Sequence, residues 1–184
     1  MDDGMQQSGI PTPRMLSWAR NSATYRLGRR MHTEKQLFDA ISEKAREKFD
    51  GISGPQVKAL ADAAVKFAYD NNGLNDTAYA EISTHSGIRS GKSKRAIARK
   101  LSMTGVAADI VEAAVADVSD LNAALVFARK RAFGPFRKAV LDENRKAKEL
   151  SAFARAGFSF DIGKTVFEMS PAEAEERLCA NRNF

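Results

Sequence analysis

Gly105-Val-Ala-Ala-Asp109-Ile110-Val-Glu-Ala-Ala114-Val115 returns 52 residues later as Gly157-Phe-Ser-Phe-Asp161-Ile162-Gly-Lys-Thr-Val166-Phe167, and Leu101 is matched by Phe153 upstream in the same register. Only Gly, Asp and Ile are identical. What recurs is a glycine stop, a small cap residue, an acid in the first turn and helical apolar spacing. A unit this short cannot bury an apolar face by itself, so a repeat built from helix signals means small helical modules packed in series. A weaker first copy runs from Thr33 to Val65, where Gly51-Ile52-Ser53 resembles the same turn.

Working outward, apolar spacing is helical nearly everywhere. Val57, Leu60, Ala61, Ala64, Val65 and Ala68 form one stripe, Phe38, Ile41, Ala45 and Phe49 a second, and Val111, Ala114, Val115 and Val118 a third. Thr33 with Gln36 reads as a capping box, and Ser170-Pro171-x-Glu173 sets a cap, a first-turn proline and an acid in order. Asp76 and Asp120 read as caps of two further helices, and Gly73, Gly91, Gly105 and Gly157 as stops. The expected helices are 13–30, 33–49, 55–70, 76–90, 93–104, 107–118, 120–132, 143–156, 159–168 and 171–181. The fold class is therefore all-α, a tandem array of short helices.

Composition excludes the main alternatives. Hydrophobic residues make up 43% of the 184 positions, enough for a core, and alanine supplies much of this while β-branched residues are scarce. No apolar run approaches the roughly 20 residues of a membrane span, and no secretory signal opens the chain. The single cysteine, Cys179, cannot form an internal disulfide, which fits a reducing cytosol.

The +6 charge is segregated. Gly4–Thr33 holds five arginines (Arg14, Arg20, Arg26, Arg29, Arg30) and no acid. Ile82–Ala108 holds Arg89, Lys92, Lys94, Arg95, Arg99 and Lys100, again with no acid. Leu121–Leu141 repeats the pattern with Arg129, Lys130, Arg131, Arg137 and Lys138. These blocks carry 16 basic groups, leaving −10 for the rest of the chain. Such patterning suits a polyanionic partner, whether nucleic acid or an acidic protein surface.

Four stretches resemble the RecX family of recombinase regulators. They are Tyr25-Arg-Leu-Gly-Arg-Arg30-Met-His32-Thr33-Glu-Lys-Gln36-Leu37; Gly73-Leu74-Asn-Asp76-Thr-Ala-Tyr79-Ala80 continuing to Arg89-Ser-Gly91-Lys92-Ser-Lys-Arg95-Ala-Ile97; Ala128-Arg-Lys-Arg-Ala-Phe133-Gly134-Pro135; and Phe153-Ala-Arg155-Ala-Gly157-Phe158-Ser159-Phe160. Lys48–Gln56 is longer than the usual first-module turn, Gly28 replaces a larger residue, and residues 1–12 and the tail from Ser170 have no counterpart. The resemblance implies a curved chain of three three-helix modules, here 13–72, 73–118 and 119–169, with a disordered segment at 1–12 and a C-terminal helix or tail at 170–184. It implies binding in the groove of a RecA-type recombinase filament on single-stranded DNA, with duplex DNA as a further ligand. There the family suppresses strand exchange, ATP hydrolysis and coprotease activity. It implies no enzyme activity, no cofactor, no membrane and a monomer; nothing resembles a long heptad seam. A helical DNA- or RNA-binding protein without a recombinase partner is the other reading of the charge pattern.

Helical geometry gives the basic turn a mechanism. At about 100° per residue, with Ile97 at 0° and Leu101 near 40°, Arg95, Arg99 and Lys92 fall near 160°, 200° and 220°, opposite the core. Arg89, Lys92, Lys94, Arg95, Arg99 and Lys100, with Arg129, Lys130 and Arg131, are the candidate partner- and DNA-binding residues. Gly87-x-x-x-Gly91-Lys92-Ser93 has one residue too few between its glycines for a phosphate-cradling loop and reads as a helix stop before a basic start. His32 and His85 lack metal-ligand spacing, and His32 is expected to bond at a helix junction. Cys179 has no catalytic partner, no carboxylate pair suggests acid–base chemistry, and Trp18, Tyr25, Phe133 and Phe158 are expected in the core.

Overall fold

The computed structural model describes residues 9–180; the first eight positions of the expected N-terminal segment and residues 181–184 lie outside the described residues. Among the described residues there are ten α-helices and one 3-10 turn, with no strand. The helices are α1 (Pro13–Leu27), α2 (Glu34–Lys48), α3 (Gly54–Asp70), α4 (Asp76–Arg89), α5 (Lys94–Met103), α6 (Ala108–Val115), α7 (Asp120–Arg131), α8 (Glu143–Arg155), α9 (Phe160–Glu168) and α10 (Pro171–Ala180), with the turn at Gly134–Phe136. The chain gathers into two compact units. The first runs up to Tyr79 and includes Thr104–Val106; the second comprises Ala80–Met103 and everything from Ala107 onward.

In the first unit the apolar stripes meet in an alanine-rich core. Ala19 and Ala23 of α1, Leu37, Ile41 and Ala45 of α2, and Val57, Leu60, Ala61, Ala64 and Ala68 of α3 are all buried. Trp18 closes the cluster edge-on against Phe49, ring centroids 5.1 Å apart. The starts of α2 and α3 are capping boxes, Thr33 with Gln36 and Ser53 with Gln56, each satisfying the amide of the cap residue and that of the glutamine three residues on. Thr12 caps α1 ahead of Pro13, and the Gln56 side-chain Nε2 donates to the Ile10 carbonyl at 3.3 Å.

The second unit is built around Ala123, Ala124, Leu125 and Ala128 of α7, Phe153 of α8 and Val166 of α9. Phe127, Phe133, Phe153 and Phe158 pack as one ring cluster with centroids 5.3–6.4 Å apart. The C-terminal tail joins this core: Ala174 and Leu178 of α10 are buried in it, and α10 opens on the expected Ser170–Glu173 pairing.

Several boundaries differ from the sequence reading for local reasons. α1 stops at Leu27, where the Gly28 amide turns back to Thr24 and Arg26 carbonyls. α6 ends at Val115, and the next amides close tighter i→i−3 bonds to Ala113 and Val115. The stop after α3 is Asn72, at φ +52°, with Gly73 one place beyond. Asp76 and Asp120 are not the caps of their own helices. Asn75 and Ser119 take those places, accepting from Ala78 and Asn122 amides at 2.9 and 3.4 Å.

The two aspartates instead serve a repeated tie between elements. In the first unit Asp76 Oδ1 accepts the Glu34 amide that opens α2 at 3.2 Å, and the Thr33 hydroxyl donates to the Thr104 carbonyl at 2.5 Å. In the second unit Asp120 Oδ1 accepts the Lys94 amide that opens α5 at 2.6 Å, and the Ser93 hydroxyl donates to the Ala156 carbonyl at 2.8 Å. Thr33 and Ser93 are fully buried. Each tie ends on the residue before a repeat glycine. Gly157 has φ +91°, and a Cβ there would come within 2.6 Å of Ser93 Oγ, which is why the repeat demands glycine.

Candidate partner-binding surface

The basic turn and α5 are positioned by what lies beneath them. The Lys92 amide bonds the Gly87 carbonyl and the Gly91 amide that of Ile88, the paired bonds that end a helix on a left-handed residue. Gly91 has φ +72°, and a Cβ would meet the Phe127 backbone amide at 2.7 Å. Ser93 is spent capping α5 and bonding Ala156. The Gly-Lys-Ser turn is therefore a helix junction, as its spacing suggests, and its groups are not arranged to cradle a phosphate.

From this junction Ile97 and Leu101 point into the protein and are buried, while Arg95 and Arg99 are exposed on the opposite side of α5. Lys92 is exposed too, in the turn that precedes the helix. Arg89, Lys92, Arg95 and Arg99 have no ion-pair or side-chain hydrogen-bond partner among the described residues. The other candidates are engaged in part. Lys94 donates its ammonium to the Ala116 carbonyl at 3.0 Å, closing the end of α6, and Lys100 reaches Ser83 Oγ at 3.2 Å. Lys94 is thus a structural cation and not part of the outward cluster. Arg131 sits over the Phe127 ring, 5.3 Å from its centroid.

Tertiary packing adds what no local signal could. Within the second unit a cleft of about 680 Å³ is lined by residues of α4, the loop before α7, α7 and α10. It brings Arg89 together with Arg129 and Lys130, cations from two separate basic blocks, over an apolar floor of Ile88, Val126 and Leu178. Lys130 donates to the Arg89 carbonyl at 3.3 Å, and Arg129 faces Glu175 of α10 at 3.6 Å with both side chains about half exposed. In that setting the pair adds at most about 1 kcal/mol and leaves the guanidinium available to another anion. The Leu178 and Glu175 contributions come from the tail and carried no sequence signal.

Other sequence candidates separate clearly. Arg137 belongs to a basic block but is built into the fold, paired with buried Glu149 and stacked 4.8 Å from the Phe167 ring centroid. His32 is buried at a helix junction, where its Nδ1–H donates to the Arg30 carbonyl at 2.9 Å. Burial holds its pKa down, with the charges of Arg30 and Arg26 acting in the same direction against the raising effect of that bond. Trp18, Phe133 and Phe158 pack in the two cores, but Tyr25 does not: it is exposed. Cys179 is exposed. Among the described residues no His, Cys, Asp or Glu group could hold a metal, and no helix is long and apolar enough to cross a membrane.

Comparison with known proteins bears on this surface directly. Residues 75–115, which hold α4, the basic turn, α5 and α6, match the family profile described as "RecX, second three-helix domain". The chain is 61% identical over 176 residues to the regulatory protein RecX of Agrobacterium fabrum, covering 96% of each. It is 39% identical over 180 residues to that of Myxococcus xanthus, covering 92% of this chain and 96% of the relative. The crystal structure of RecX from Lactobacillus salivarius shares its fold, with a TM-score of 0.61 at 20% identity over 92% of this chain and 99% of that one.

Proposed function

The chain belongs to the RecX family of regulatory proteins, and on that premise we propose that it regulates homologous recombination by binding a RecA-type recombinase filament on single-stranded DNA. The family is one of regulators, not enzymes, and the protein acts by occupying a surface. In this reading Arg89, Lys92, Arg95 and Arg99, with Arg129 and Lys130 at the cleft, meet phosphates or carboxylates of the filament and damp strand exchange and ATP hydrolysis. The observation that carries it is the set of four exposed cations left without partners on a stretch free of acids. A solvated helix face would intersperse carboxylates, as α2 and α3 do.

The three-module division at residues 13–72, 73–118 and 119–169 is part of the proposal. It is supported by the family match at 75–115 and by the equivalent ties of Thr33 and Ser93.

The test is ATP hydrolysis by the cognate recombinase on single-stranded DNA, with this protein at substoichiometric ratios. We expect inhibition, and its loss in the Arg95→Glu/Arg99→Glu variant while circular dichroism stays helical. Tight binding to naked DNA with no effect on hydrolysis would overturn the reading in favour of a nucleic-acid-binding protein without a recombinase partner.

A further inference from the structure

Tyr25 is the one aromatic of α1 that faces away from the core. Ala19 and Ala23 are fully buried on the inner side of the helix, whereas Tyr25 is 61% exposed. At about 100° per residue it lies near 160° from Ala23, which agrees with that placement. The residues around it on the outer side, Arg14, Ser17, Asn21 and Thr24, are exposed and include no acid.

The ring is held from one end. The Arg29 guanidinium donates to the phenol oxygen and lies 5.3 Å from the ring centroid, a cation–π contact that fixes the side chain without burying it. Arg14, Arg20 and Arg30 are exposed, with no ion pair among the described residues. The same unit shows what an ordinary solvated helix does. Lys35, Lys44, Lys58 and Lys66 on α2 and α3 each pair with an acid three or four residues along. α1 and the segment after it leave their charges open and place an aromatic ring among them.

Guanidinium groups beside an exposed ring are the chemistry that grips unpaired nucleotides: cations take the phosphates, and any base can stack on the ring. An acidic peptide would use the arginines but has no need of the ring. We propose that the outer face of α1 is a single-stranded nucleic-acid contact, with a base stacked on Tyr25 and phosphates met by Arg14, about 20° from it around the helix, and by Arg30 beyond the helix end. Arg29 is the positioning residue for the ring. The contact deepens the proposed regulatory function, on which it rests for the strand it meets, and is built from residues of the first unit, whereas α5 and the cleft belong to the second.

The experiment is fluorescence anisotropy of a labelled oligo-dT titrated with the full chain at several salt concentrations. Tyr25→Ala should weaken binding about 5- to 150-fold, the range of one base–aromatic stack, with no change in salt slope because no charge is removed. Tyr25→Phe keeps the ring and should bind within about twofold of the parent. Arg14→Gln/Arg30→Gln should lower the salt slope by about 1.4, some 0.7 for each single-strand phosphate left unneutralised. Tyr25→Ala binding oligo-dT like the parent overturns the proposal. So does a poly-glutamate peptide that displaces oligo-dT equally well from the parent and from Tyr25→Ala, which would assign the face to an acidic protein surface.

The two readings fail separately. Loss of recombinase inhibition in Arg95→Glu/Arg99→Glu with oligo-dT binding untouched by Tyr25→Ala keeps the regulatory function and removes the α1 contact. The reverse outcome keeps the α1 contact alone.

Discussion

Glu149 is a carboxylate placed where carboxylates rarely go, at 2% exposure in α8. Burial pushes its pKa up, but the Arg137 side chain at 2.7 and 2.8 Å and the Gly134 amide at 2.9 Å outweigh burial. With the charges of Arg137 and Arg145 they hold the carboxyl below its ordinary value. The group fastens the turn after α7 to α8, with Arg137 itself only 13% exposed. Because the folded pKa is depressed, the stabilisation is present above the ordinary carboxylate range and disappears as pH falls through the folded value. Glu149→Gln leaves a largely shielded guanidinium unpaired and should cost about 3 kcal/mol at pH 7. Urea unfolding at pH 7 and pH 3 checks this: the gap between parent and variant should shrink on acidification, and a gap independent of pH would show that the pair is not ionised in the folded state.

At the scale of elements, the ties at the starts of α2 and α5 explain both what the sequence reveals and what it conceals. Helix stripes, the Thr33–Gln36 box and the Ser170–Glu173 start are legible because they are settled within one turn of chain. Asp76 and Asp120 look like caps and are caps, yet of helices 42 and 26 residues earlier, a fact written only in the packing. The same limit hid the inward use of Lys94, the tail's place in the second core and the cleft that Leu178 helps to floor. Tyr25 misled for another reason: its residue type suggests burial, but its place on the helix turns it outward. The ties make a graded prediction. Ser93→Ala removes both the acceptor for the Ala96 amide and the donor to the Ala156 carbonyl, so it should lower stability by about 2 kcal/mol. Ser119→Ala removes only a local cap on α7 and should cost about 1 kcal/mol or less. Equal costs in urea melts would mean that the bond between elements contributes nothing.

Across the whole molecule, charge is divided by role. Several acids outside the basic blocks pair with lysines of their own helices, and Asp76, Asp120 and Glu149 act within the fold, while α5 and the Gly91 turn keep their cations unneutralised. An array of small alanine-rich modules has little core to spare, so contacts that need no apolar area are a consistent way for it to bind. On the proposed function, in which these cations meet phosphates, the binding free energy would be dominated by released counterions, which salt exposes directly. The quadruple Arg89→Gln/Lys92→Gln/Arg95→Gln/Arg99→Gln variant leaves both cores intact, so its circular dichroism should match the parent. If all four cations meet phosphates of single-stranded DNA, the slope of log K against log salt for oligo-dT binding should fall by about 2.8. A slope that does not move, with recombinase inhibition abolished all the same, would place these four side chains against acidic protein groups and leave the strand to other parts of the chain.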